Sequence, residues 1–252
     1  MGIYLKKLLF LALLLGIWQL LVSLKIWEDY LFPSPLMVWD TLVQGFKDQT
    51  FLTAIGVSLK RVLIGYFISL LIGIPLGMLS GKVKIVEETI GSLISGLQTL
   101  PSICWLPLSL LRFGLNEKAI VFIVIMGAIF SISLATESGV KNVSPLYLRA
   151  ARTMGADGLK LFGYVIIPAA LPTIFTGMKL AWAFAWRSLM AGELLSSGSG
   201  LGQVLMMGRD LADMSQVLAV MIIIAAIGIM IDRLVFCYFE KKLREKWGLE
   251  VV

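Results

Sequence analysis

Six stretches of this chain run apolar with little interruption: residues 8–24, 62–80, 90–111, 119–135, 174–195 and 217–231. A helix needs about 20 mostly apolar residues to cross the hydrocarbon core of a bilayer, and only helices or closed barrels satisfy their backbone there. The pattern therefore predicts an all-α, polytopic membrane protein with about six transmembrane helices. The last stretch is short; it begins earlier or continues through Asp232 and Arg233, where a long side chain can snorkel. The first follows a basic start, Lys6 and Lys7, like a signal peptide, but it ends in Lys25, Trp27 and Glu28 without a small-x-small cleavage site. It is read as a retained span.

Several spans carry breakers. The second contains IGIPLGMLSG, with Pro75 between Gly73 and Gly77, and the third contains TLPSICWLPLSLL, with Pro101 and Pro107. Proline removes a backbone donor and kinks a helix, which a membrane tolerates where neighbouring helices or a cavity satisfy the freed carbonyls. Gly91, Ser92, Ser95 and Gly96 would allow close helix packing. These helices suit a pathway or a moving bundle as well as ordinary kinked packing. Between the first two spans, Leu36, Val38, Trp39, Leu42, Val43 and Phe46 recur near helical spacing, as in an interfacial amphipathic helix.

Composition agrees with the pattern. Of 252 residues, 58% are hydrophobic and 15% charged, and the mean hydropathy is +0.91. The net charge of +6 would suggest a nucleic-acid partner in a soluble protein. In a membrane protein it reads instead as Lys and Arg gathered in cytoplasmic loops, so no nucleic acid is expected. An even number of spans puts both termini on one side. That side holds 13 basic residues against seven on the other, so it is expected to be cytoplasmic, with the basic tail EKKLREKWGL near lipid headgroups.

Much chemistry is missing. The chain has no His, and its two cysteines, Cys104 and Cys237, lie far apart in apolar surroundings. No G-x-x-x-x-G-K-[ST] phosphate loop, H-E-x-x-H, C-x-x-C or G-x-S-x-G occurs. No cofactor or metal is expected on this chain, and no carboxylates assemble into an acid/base pair. A transport subunit without its own ATPase site fits better than an intramembrane enzyme.

The segment RAARTMGADGLKLFGYVIIPAALP stands out, because it is semi-polar amid lipid-soluble sequence. Ser144 and Pro145 form a helix start, and Tyr147, Ala150, Ala151 and Met154 recur at helical spacing. Arg149 and Arg152 flank this face, and Gly155 follows as a left-handed stop. A second helical run leads to Pro168 and Pro172, which are expected to set the entry to the next span. The prediction is a helix, a glycine turn and a helix, shaped either to dock into a soluble partner or to lie along the membrane.

This segment resembles the cytoplasmic loop of permease subunits of ATP-binding-cassette importers, whose pattern is E-A-A, three residues, G, nine residues, I-x-L-P. Here Arg149-Ala150-Ala151, Gly155 and Val165-Ile166-Ile167-Pro168 match that spacing, with Arg149 in place of the usual Glu. The wider run through MKLAWAFAWRSLMAGELL, and the ending DRLVF…EKKLREKWGL, resemble the nitrate, taurine and aliphatic sulfonate branch. The resemblance implies a type I importer permease fold (MetI-like), with residues 1–54 as a first span plus amphipathic segment, 55–240 as the permease core, 141–164 as its coupling loop and 241–252 as a basic tail. It implies ATP and Mg on two partner ATPase subunits, which would grip Arg149, Ala150, Ala151, Arg152, Met154, Gly155 and Pro168. It further implies a second permease copy, an extracytoplasmic solute-binding protein and a bacterial-type inner membrane. Importers for vitamin precursors share the branch, and an ion-coupled secondary transporter is the rival class.

The fifth span is the most polar. Lys179, Trp182, Trp186 and Glu193 fall at offsets of three, seven and fourteen, roughly one face, with Arg187 about 80° from Lys179. Charges inside a span are costly and face protein or water. One reading has Arg187 facing a substrate pathway and attracting an anion, with Trp182 or Trp186 packed beside it. The other has Lys179 snorkelling to the cytoplasmic face and Arg187 pairing with Glu193 or a neighbouring helix. Ser131, Ser133 and Thr136 are weaker candidates, since such hydroxyls commonly bond their own backbone.

Overall fold

The computed structural model describes residues 2–26, 28, 30–195 and 198–246, so Trp27 and the last six tail residues of the sequence reading lie outside it. Regular structure among the described residues is helical throughout. In chain order the helices are α1 (Gly2–Ser23), α2 (Pro35–Lys47), α3 (Thr50–Lys82), α4 (Lys84–Gln98), α5 (Ser102–Phe113), α6 (Glu117–Lys141), α7 (Pro145–Thr153), α8 (Gly158–Leu194), α9 (Leu201–Asp210) and α10 (Met214–Leu243). Four of them, α3, α6, α8 and α10, are long and apolar enough to cross a membrane.

The six apolar stretches all lie in helices, with two differences. The apolar part of α1, Leu8–Ser23, is shorter than a span perpendicular to the bilayer needs. The expected third span is not continuous: α4 and α5 meet at 104°. Pro101 explains the break, since proline cannot donate to the preceding turn and pushes Leu100 away from helical geometry. Thr99 ends α4 by donating its hydroxyl to the Gly96 carbonyl at 2.7 Å.

Two compact units divide the chain, Met1–Ser58 with Ser197–Ile227, and Leu59–Ser196 with Gly228–Val252. In the first, Ser34 caps α2 by accepting from the Met37 amide, and Trp18 donates to the Pro33 carbonyl at 3.0 Å. The buried Ser58 hydroxyl accepts from the Leu201 amide at 2.9 Å, anchoring the start of α9.

The second unit is built on α6. Ile120, Ile123, Val124, Ala128 and Ile132 of this helix are all essentially inaccessible. Lipid offers no hydrophobic drive for helices to associate, so van der Waals fit decides, and small residues permit it. Along α3, Gly73, Gly77 and Gly81 recur every four residues against α6; a Cβ at Gly77 would collide with the Ser133 carbonyl. On the other side, Gly177 of α8 approaches Ala135, and Gly127 of α6 makes room for Ser188 of α8.

Helix α8 departs most from the sequence reading. Pro168 and Pro172 were expected to mark an entry to a span, yet the helix runs unbroken from Gly158 to Leu194. Its backbone widens into a π turn at Phe162–Ile166. The Tyr164 carbonyl, which Pro168 cannot serve, lies inside that turn, so the wider register accommodates the missing donor.

Candidate functional site

Helix α7 and its exit form a capped, exposed element between two spanning helices. Ser144 accepts from the Leu146 amide, with Pro145 at the first helical position. At the other end Gly155 takes φ of 80°, its amide bonds the Arg152 carbonyl, and the Ala156 amide bonds the Ala151 carbonyl. This paired closure requires a left-handed residue, which glycine supplies without strain. Ala151 is buried beneath the helix, while Arg149, Ala150, Arg152 and Met154 are exposed, Met154 at 87%. Leu146 and Leu159 also stand out into solvent, at 70% and 80%. Pro168, the last residue of the loop pattern, sits half-buried nearly three turns into α8.

Among the described residues of the second unit, three cations each meet two carboxylates. Arg61 of α3 is buried and meets Glu193 of α8 at 2.9 Å and Glu117 of α6 at 3.4 Å. Lys141 joins Glu137 and Glu87. Lys179 meets Asp232 at 3.2 Å and Glu240 at 3.7 Å. The sequence reading placed Arg61 among loop residues just before a span; it lies inside α3, and its partner is 132 residues away. Glu193 is therefore engaged with Arg61.

The polar face predicted for the fifth span thus divides. Trp182 and Trp186 stack on each other, and Tyr66 packs edge-on to Trp182 at 5.1 Å while donating to the Met178 carbonyl. Both Trp residues are buried, as is Glu193. Arg187 is exposed, its guanidinium 5.5 Å from the Phe184 ring. It lines two cavities. One, of about 270 Å³, lies at the α4–α5 break and is walled by Gln98, Thr99, Pro101, Ser102, Phe130, Ser131 and Ser188. The other, of about 450 Å³, is mostly apolar and is bordered by Leu180, Trp182, Ala183, Trp186 and Gly228, with Lys179 and Asp232. Sequence reasoning had named neither Gln98, Thr99 and Ser102 nor Ser188; the proline break was the available signal.

Comparisons with known proteins fit this architecture. Residues 73–245 match the model of the family described as binding-protein-dependent transport system inner membrane component. An ABC transporter permease protein of Methanocaldococcus jannaschii is 37% identical over 88% of this chain and 85% of its own. A nitrate import permease protein of Leptolyngbya laminosa is 32% identical over 88% and 81%. Among solved structures, the inward-facing MetNI methionine ABC transporter superposes with a TM-score of 0.69 at 17% identity, over 77% of this chain and 96% of that one, which shows a shared fold. The chain belongs to the binding-protein-dependent transport system inner membrane component family, as a multi-pass permease subunit of an ABC importer.

Proposed function

We propose that this subunit forms half of a pathway for a small anionic solute of the nitrate, taurine or sulfonate type and takes its energy from separate ATPase subunits gripping α7. The observation that carries the reading is α7 itself. It is capped at both ends, exposes Leu146 and Met154, and joins two spanning helices. An exposed apolar and basic element of this kind suits insertion into a groove on a partner.

In this reading Arg149, Ala150, Ala151, Arg152, Met154 and Gly155 make or shape the ATPase contact, and Pro168 sits behind it in α8. ATP and Mg belong to the ATPase, and this chain supplies no ATP site. Two copies of the chain pair with two ATPase subunits, and an extracytoplasmic binding protein delivers the solute. In this reading both termini and α7 face the cytoplasm, supported by an excess of basic residues on that side, 13 against six once Arg61 is counted inside α3. The relatives named for nitrate support an anion, and Arg187 is the charge in the spans that would attract it.

Purification of the tagged chain co-expressed with its ATPase tests this. The ATPase should co-purify, and Ala150→Trp, which places a bulky group on the exposed face, should release it. Vesicles that take up the solute without ATP would instead favour an ion-coupled carrier.

A further inference from the structure

Three cations of the second unit are held by carboxylates, and Arg187, within the spanning helix α8, is not. Arg61, Lys141 and Lys179 each face two carboxylates. Among the described residues no carboxylate lies within ion-pair distance of Arg187. The cavity of about 270 Å³ that it lines carries no carboxylate either. A cation in a span faces protein or water, and of the two recesses Arg187 borders, this one has only hydroxyls and an amide as its other polar side chains.

One of those hydroxyls has no partner. Ser131 is 4% exposed, and its Oγ is buried without a hydrogen bond among the described residues. Mid-helix serines ordinarily donate to the carbonyl one turn back. Ser69 and Ser133 do so, to Gly65 at 2.8 Å and Ile129 at 2.7 Å. Ser131 instead keeps its donor at the cavity wall. A buried donor is costly unless something accepts from it.

We propose that this recess is a built site for one small oxyanion head, a sulfonate or nitrate group. Arg187 supplies the charge and Ser131 a buried donor, with Ser188 and the broken turn at Thr99 closing the wall. This rests on the reading of the chain as a permease for anions, and it assigns the residues and the size limit. A volume of about 270 Å³ falls just below the range of ~300–1,000 Å³ typical for drug-sized ligands, so a bulky anion is not enclosed.

The test reads binding apart from transport. The purified full-length protein in detergent and gluconate buffer is titrated with methanesulfonate or nitrate, and its thermal unfolding is followed. Uncharged dimethyl sulfone controls for shape. A saturable rise in midpoint is expected with the anions and none with the sulfone. Removing a hydrogen bond to a charged group, as Ser131→Ala does, should weaken the anions about tenfold, and Arg187→Gln by more, while Arg187→Lys retains part of the effect. No rise in the wild type, or an equal rise in Arg187→Gln and Ser131→Ala, overturns the site. The permease reading is judged separately, by ATP-dependent uptake in proteoliposomes; if it fails there, the anion shift still stands or falls by itself.

Discussion

The Arg61–Glu193 pair offers the sharpest test of how the second unit is held. Both side chains are buried, at 5% and 1%, and their atoms are 2.9 Å apart. With an effective dielectric of ~20, a contact of 2.9 Å corresponds to an attraction of about 6 kcal/mol. Desolvation of the two ions offsets much of that, so the net contribution of the intact pair is small. Removing one partner is different, because the other stays buried without its counter-charge, which costs about 3–5 kcal/mol. Glu117 relieves Arg61 only weakly, being 61% exposed and 3.4 Å away. Glu193→Leu and Arg61→Met should each therefore lower stability by about 3–5 kcal/mol, whereas the double variant should return to within about 1 kcal/mol of the parent. Denaturant titration in mixed micelles, run as a double-mutant cycle, measures this. Two single losses below 1 kcal/mol that simply add in the double variant would refute the assignment of a buried, coupled pair.

Other consequences are as direct. Gly77→Leu must push α3 away from the Ser133 backbone, so it should cost at least the roughly 1–3 kcal/mol of an overpacked core, while Gly56→Leu in the same helix, which meets open space, should be near neutral; thermal unfolding of the two separates them. Gly155→Val forces a branched residue to φ of 80°, a strain of about 1–2 kcal/mol confined to an exposed turn. It should lower the unfolding midpoint by only a few degrees, and lower ATPase co-purification. Lys179→Met should cost no more than about 1 kcal/mol, because its partners Asp232 and Glu240 are 42% and 27% exposed; the same micelle titration checks it.

What could be read from the sequence follows a physical division. Spans announce themselves because every residue in lipid must be apolar or paired, so long apolar runs leave little choice of structure. The α7 element was legible for a local reason: Ser144, Pro145 and Gly155 each act within one turn. The Arg61 pair was hidden because its partner is 132 residues distant and no pattern near Arg61 points there. Spacing grouped Lys179, Trp182, Trp186 and Glu193 on one face of a helix, but periodicity says only that they share a face. It does not say that Tyr66, Arg61 and α6 occupy the space in front of it.

The continuity of α8 links the two proposed functional elements. From Gly158, beside the α7 turn, to Arg187 at the cavity is 29 residues of one helix, about 44 Å at 1.5 Å per residue. Had Pro168 and Pro172 broken the helix, motion at α7 would have been absorbed at a hinge before reaching the cavity. Instead the π turn takes up the missing donor and the helix stays whole, so a displacement of the α7 end is carried as tilt. A tilt of about 5° over a lever of that length moves its far end by roughly 4 Å, comparable to the slides and small rotations by which packed helices switch. The same helix presents Ser188 and Arg187 to the cavity while α6 presents Ser131. Such a tilt would therefore change the distance between the cation on one helix and the hydroxyl on the other, and so open or close the proposed oxyanion site.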